Sequence, residues 1–420
     1  MLFFKNFSIL ILFITLGGCL PTSIKKANDN KKSVMLQEEA ISQEESVAPS
    51  LDTSEQPTSG IKKDANVVDE NVVDENVVDA NDIDEDVVDA NSLSRILEFK
   101  NCSYVIKHIG FAGVGHSAGS GSSVVFEGKT NVNHFLLKSL GVYDIRPVEK
   151  NAGVGTGNIR LNGNKTSVKM NGDVLNVNGE KVTVQREFIV HVPDDYDANF
   201  EYAVVFAFHG HGGYAMPWAE SLGDLINEYK FIGIYPQGYA DGEAKEEDGT
   251  KAQTSWNLGT EISTADDIVF VNDIITRLGV ISSDASKRFA LGSSNGAALS
   301  NFLAANAKTK IFSGIGTLVS GLIKTTLEGN TAITIPVSGK TYHYGLSQNS
   351  IPLNVVTIFG MSDPIIPYWG GEAKTGTIIY SAEESIREWA KLAGCSDYNS
   401  KEVKTFESDS TTIIDLSQYF

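Results

Sequence analysis

One stretch narrows the choice of fold more than any other. Lys287-Arg-Phe-Ala-Leu-Gly-Ser-Ser-Asn-Gly296 runs straight into Ala-Ala-Leu-Ser-Asn-Phe-Leu-Ala-Ala. An apolar strand enters Gly292-Ser293-Ser294-Asn295-Gly296 and an alanine-rich helix leaves it. Gly-x-Ser-x-Gly between a strand and a helix predicts a tight turn that lifts one serine hydroxyl above a sheet. The flanking glycines fit because a side chain there would collide with the neighbouring strand or helix. Ser294 is the candidate nucleophile, and such a serine needs an imidazole base. No histidine follows His343.

A sheet of this kind requires alternating strands and helices, and from Tyr202 onward the pattern supplies them. Tyr202–Phe208, Phe231–Tyr235, Arg288–Gly292, Ile311–Gly316 and Asn354–Phe359 read as strands, with helices near 217–229, 264–278 and 295–306. Thr264-Ala-Asp-Asp267 has the spacing of a capping box, and Ser381-Ala-Glu-Glu384 opens another helix in the same way. The predicted fold class is therefore α/β. Residues 95–180 read as a small β-rich extension, with Asn162-Gly163, Asn171-Gly172 and Asn178-Gly179 as hairpin turns. Its glycine-rich runs, Gly110–Gly121 and Gly153–Gly157, lack the lysine of a phosphate-binding loop and read as loops.

The chain of 420 residues has a net charge of −19. Much of the imbalance is local: 11 Asp or Glu and no Lys or Arg lie between Asp64 and Asn91. Such a protein is a poor nucleic-acid binder, because neutralising phosphates takes Lys or Arg. Residues 19–94 carry no aromatic side chain and contain the pentapeptides Asn66-Val-Val-Asp-Glu, Asn71-Val-Val-Asp-Glu and Asn76-Val-Val-Asp-Ala. They read as a disordered acidic stalk held extended by self-repulsion. Residues 1–18 read as an export signal, with Lys5 before an apolar run too short to span a bilayer comfortably.

Leu16-Gly17-Gly18-Cys19 resembles the lipobox of bacterial lipoproteins, which implies diacylglycerol on Cys19 and membrane attachment without a spanning helix. Export permits a disulfide between Cys102 and Cys395, although the sequence alone does not show that they meet.

Two further motifs belong with Ser294. Phe208-His209-Gly210-His211-Gly212-Gly213 follows the first long strand, and its amides can converge on an oxyanion. Phe359-Gly-Met-Ser-Asp363-Pro364 places a carboxylate at a strand end, where it can orient an imidazole. With Tyr235-Pro-Gln-Gly238, Ser255-Trp-Asn257, Asp266-Asp267 and Pro367-Tyr-Trp-Gly-Gly371, these motifs resemble the poly(3-hydroxybutyrate) depolymerase and feruloyl or acetylxylan esterase family over about residues 186–420. The resemblance implies an α/β-hydrolase sheet with flanking helices at 181–420 and a serine esterase acting on a carboxylic ester, polymeric or small, without metal or cofactor. It assigns Ser294 as nucleophile, Asp363 as orienting acid, the amides of His211 and Asn295 as oxyanion hole, and Trp256 and Trp369 as substrate-pocket walls.

The family's base comes after one more strand, beyond a second half-cystine. Cys395 resembles the first half-cystine, so the expectation is a C-terminally truncated domain without its last strand and histidine loop. His343 precedes Asp363, His209 belongs to the oxyanion turn, and His108, His116 and His134 lie in the extension. A catalytically inactive, hydrolase-like surface binding protein and a peptidase on the same fold stay open as alternatives.

Overall fold

A computed structural model describes residues 93–114, 123–126, 130–150, 159–241, 253–261, 263–279, 284–408 and 411–414. The expected export signal, Cys19 and the acidic stalk lie outside the described residues.

The main sheet is built from thirteen strands. In chain order they are β1 (Leu93–Lys100), β2 (Ile106–Phe111), β3 (Ser123–Phe126), β4 (Thr130–Asn131), β5 (Lys165–Leu175), β6 (Lys181–His191) and β7 (Ala203–Phe208). There follow β8 (Phe231–Pro236), β9 (Arg288–Ser293), β10 (Gly314–Leu318), β11 (Asn354–Gly360), β12 (Asp397–Ser408) and β13 (Thr411–Ile414). Their spatial order is β4-β3-β13-β12-β1-β2-β11-β10-β9-β7-β8-β6-β5. Six neighbours, β2-β11-β10-β9-β7-β8, are mutually parallel. Antiparallel pairs, β1 on β2 and β6 on β8, flank this block.

The parallel strands are mainly apolar because both faces are covered. Along β7, Val204, Phe206 and Phe208 enter one core, while Ala203, Val205 and Ala207 enter the other. That split follows from the two-residue period of a strand. Helices α1 (Val132–Ser139), α2 (Ala215–Ser221) and α3 (Gly223–Tyr229) supply the second of these cores, with Leu136, Ala219 and Ile226. Helices α4 (Asp267–Leu278), α5 (Asn295–Asn306) and α6 (Ala382–Leu392) supply the first, with Val271, Leu303 and Trp389.

Several expectations are corrected. Residues 95–180 are not an extension apart from the sheet, since β1, β2 and β5 are members of it. On the side of β11 away from β10 stands β2, from the segment expected to be an extension: Val355 pairs with Ile106 and Gly360 with Phe111. Cys102 and Cys395 form a disulfide across a sequence separation of 293, so Cys395 has its partner upstream in the chain. Asn171-Gly172 lies inside β5 and makes no turn. A Cβ on Gly172 would stand 2.7 Å from Arg186 Cγ, so this glycine gives room to a buried arginine. By contrast, Gly179 does turn the chain between β5 and β6, at φ +77°.

The Thr264 capping box also fails. Thr264 Oγ1 accepts from Leu175 N at 2.8 Å, and Asp266 caps α4 instead, accepting from Val269 N at 3.0 Å. At Ser381 the reciprocal box forms, with Ser381 N donating to Glu384 and Glu384 N to Ser381 Oγ.

Candidate active site

Ser294 sits where β9 becomes α5, with φ +53° and ψ −120°. A non-glycine residue in that region is strained by roughly 1–3 kcal/mol and persists only where its surroundings enforce it. Enforcement comes from both sides. Ser294 N donates to Leu318 O at 2.8 Å, and Ala298 N donates to Ser294 O at 3.0 Å. A Cβ on Gly292 would meet the backbone of Gly296, and one on Gly296 would strike the backbone of Phe208 and His209. The two glycines thus let strand, helix and neighbouring turn approach to backbone distance.

That neighbouring turn is Gly210–Gly213. A Cβ on Gly210 would lie 3.3 Å from Ser294 Cβ, so the turn rests directly against the serine. Its later amides are engaged: Gly212 N donates to Thr254 O at 2.7 Å and Gly213 N to Gly210 O at 3.0 Å. The amide of His211 is at the crest of the turn. That of Asn295 belongs to the first turn of α5, where helical N–H groups have no partner within the helix.

His209, which precedes the turn, is a clamp. Its Nε2 accepts from Gly238 N at 2.9 Å, which leaves the proton on Nδ1, donating to Gly210 O at 2.8 Å. Burial pushes the imidazole down to about 4. Gln237 Oε1 accepts from Ala215 N at 3.0 Å, closing the turn from beyond. This gives Tyr235-Pro-Gln-Gly238 a physical role that the sequence reading did not supply.

The Ser255-Trp-Asn257 segment holds the other flank. Asn295 Oδ1 accepts from Trp256 N at 2.7 Å, and Asn295 Nδ2 donates to Glu261 Oε1 at 2.9 Å. Trp256 is fully buried and donates through Nε1 to His209 O at 2.7 Å. The expectation that Trp256 lines a substrate pocket is therefore corrected: its ring lies in the core and braces the turn. Behind it, Asn257 N donates to Asp267 Oδ2 at 2.7 Å, and Arg186 Nη2 donates to Asp267 Oδ1 at 2.7 Å. Burial pushes the Asp267 carboxyl up, while Arg186 and the Asn257 amide pull it back. The roles of Glu261, Gln237 and Arg186 escaped the sequence reading because their partners here, Asn295, Ala215 and Asp267, lie 34, 22 and 81 residues away in the chain.

Asp363 follows β11 and is buried. Its Oδ1 accepts from Ile365 N at 3.0 Å and from Ile366 N at 2.9 Å, which fixes the carboxylate at the carboxyl edge of the sheet. Ser294 and Asp363 leave the same edge with β10 between their strands, roughly 10 Å apart at the usual strand spacing. Trp369, six residues beyond Asp363, is 61% exposed with the Arg95 guanidinium 5.8 Å from its ring centre. Tyr214, which directly follows the Gly210–Gly213 turn, is 58% exposed.

No protein-family model matches the chain. Among curated proteins it is similar to a probable feruloyl esterase C from Aspergillus niger, 27% identical over 187 residues, covering 44% of this chain and 58% of the relative. It is also similar to feruloyl esterase C from Emericella nidulans, 24% identical over 203 residues, covering 48% of this chain and 64% of the relative. The chain thus spans between 58% and 64% of the length of these two relatives. Among solved structures, acetyl xylan esterase from Aspergillus awamori is 20% identical with a TM-score of 0.24, over 31% of this chain and 46% of that one.

Proposed function

We propose that this protein is a serine hydrolase of carboxylic esters. The observation that carries the reading is the strained Ser294 turn packed against the Gly210–Gly213 turn. In this reading Ser294 Oγ attacks the ester carbonyl, and the amides of His211 and Asn295 stabilise the negative charge that develops on its oxygen. Asp363 orients the imidazole that serves as base, and no metal or cofactor takes part.

Feruloyl or acetyl-polysaccharide esters are the leading substrate class, supported by the similarity to feruloyl esterases. Trp369 and Tyr214 would flank the bound acyl group. The Cys102–Cys395 disulfide agrees with an exported protein. Lipid attachment at Cys19 would then hold the enzyme at the cell envelope by an acyl anchor.

Hydrolysis of p-nitrophenyl acetate, methyl ferulate, acetylated xylan, poly(3-hydroxybutyrate) and a peptide amide, each with wild type and Ser294→Ala, tests the reading. Ester turnover that is abolished in the variant, with ferulate or acetyl esters preferred, is the expected result. Equal background rates in both proteins would leave a binding protein, and turnover of the peptide alone would leave a peptidase.

A further inference from the structure

Beside β8, on the side away from β7, lies a cavity of about 170 Å³ that takes no part in the chemistry at Ser294. Lys169, Gln185 and Glu187 line it from the β5–β6 hairpin, and Gln237, Gly238 and Tyr239 line it from the segment after β8. The hairpin register sets Lys169 opposite Glu187. Residues two apart on a strand share a face, so Gln185 stands on that same face. All three side chains are exposed. Among the described residues, neither the Lys169 ammonium nor the Glu187 carboxylate is engaged in an ion pair.

The cavity opens on the edge of the sheet that carries the nucleophile. Strands β7, β8 and β9 are parallel, so Gly238 and Ser294 leave the same edge. Gly238 N donates to His209 Nε2, the clamp of the turn that rests against Ser294. Yet β8 is two strands from β9 and β6 is three, roughly 10–15 Å at the usual strand spacing. A small ester held at Ser294 does not reach so far. Only a ligand of several linked units can occupy both places.

The lining selects the chemistry of such a ligand. The charges of Lys169 and Glu187 cancel, and Arg186, which also lines the cavity, is balanced by Asp267 at 2.7 Å. A ligand of either net charge therefore finds no excess of the opposite sign. An apolar ligand would strip water from Lys169 and Glu187 and return no hydrogen bonds, which is costly. A hydroxyl both donates and accepts. A neutral, polyhydroxylated ring can therefore give to Glu187, take from Lys169 and do both with the Gln185 amide. Half-buried Tyr239, braced by the Arg186 guanidinium 5.7 Å from its ring centre, supplies apolar surface for the C–H face of such a ring.

We infer that this cavity is an accessory saccharide subsite, holding an uncharged sugar unit of a glycan whose ester bond lies at Ser294. Its use in turnover rests on the ester-hydrolase reading, whereas its ligand follows from the cavity's own side chains. Occupancy here retains a polymeric ester at the nucleophile and leaves small esters unaffected.

Two measurements on the full chain test this. The first is titration calorimetry in Ser294→Ala, so that nothing is turned over. Xylohexaose, arabinohexaose and cellohexaose are the neutral probes and an oligogalacturonate is the acidic one. Removing both exposed groups, Lys169→Ala with Glu187→Ala, or the ring alone, Tyr239→Ala, should weaken binding of the preferred neutral probe by about tenfold or more. No binding of any neutral probe, equal binding in the variants, or a preference for the oligogalacturonate overturns the inference. The second is turnover with Ser294 restored. The same variants should raise KM for acetylated xylan by about tenfold and leave kcat/KM for p-nitrophenyl acetate unchanged. An equal loss on both substrates would show damage to the Gly238–His209 clamp and overturns the subsite. Should wild type hydrolyse no ester, the functional reading fails and the calorimetry alone decides whether the cavity takes a saccharide.

Discussion

At the scale of single residues, the site is a set of side chains whose freedom has been removed. Ser294 is held at φ +53° by Leu318 O on one side and by glycines that admit no Cβ on the other. Gly296→Ala should therefore destabilise the protein by about 1–3 kcal/mol or more, because its new methyl meets the Phe208 and His209 backbone rather than a flexible side chain. Urea unfolding measures this, and an unchanged midpoint would contradict the packing described. Buried histidines set a pH dependence. Burial lowers His209 from 6.5 to about 4 and His108 from 6.5 to about 3.

Below pH 6.5 the unfolded chain binds protons at these rings that the folded chain refuses. Stability therefore falls as pH drops from about 6.5 toward 4, by up to about 1.4 kcal/mol per pH unit for each ring. Unfolding midpoints at pH 7 and pH 5 should converge in His108→Gln relative to wild type. An equal loss in both proteins would remove His108 from the explanation.

At the scale of elements, short polar chains tie loops to helices and give the sequence motifs their meaning. Arg186 on β6 reaches Asp267 at the start of α4, Asp267 holds the Asn257 amide, and Trp256 holds the side chain of Asn295. Arg186→Met leaves the Asp267 carboxylate buried without its charge partner, which should cost about 3–5 kcal/mol. Thermal unfolding checks it, and a change below about 1 kcal/mol would show that Asp267 neutralises at little cost.

Much of this level was legible in the sequence. The strand–turn–helix around Ser294, the glycine turn after β7 and the carboxylate after β11 follow from local apolar runs and turn residues. Trp256 was misread, since a tryptophan beside polar residues has the same local pattern whether its ring faces solvent or the core. Thr264 was misread as a cap because its tie to the Leu175 backbone spans 89 residues.

At the scale of the whole molecule, the sheet joins segments that the sequence keeps apart. Strand β2 pairs with β11 across a register such as Ile106 with Val355, and β1 pairs with β12, Leu97 opposite Ser400. No local pattern encodes such pairings. The glycine-rich run from Gly110 therefore looked like a loop of an accessory extension, although Gly110 lies in a buried strand where a Cβ would overlap Tyr368. The disulfide that closes these segments joins the residues just before β2 and just before β12. Losing it, as Cys102→Ser with Cys395→Ser or under reductant, should cost about 2–5 kcal/mol. A melting temperature insensitive to reductant would contradict that.

At the N-terminal end, Cys19→Ala should abolish membrane partitioning if the lipid anchor exists. A variant that still sediments with membranes would refute it.

The central claim is that position 294 carries an activated nucleophile, and active-site titration with a fluorophosphonate addresses it without assuming a substrate. Intact-mass and peptide mass spectrometry should find one adduct per chain, on the peptide bearing Ser294, and none in Ser294→Ala. An unlabelled wild type, or an adduct on another residue, would contradict the account.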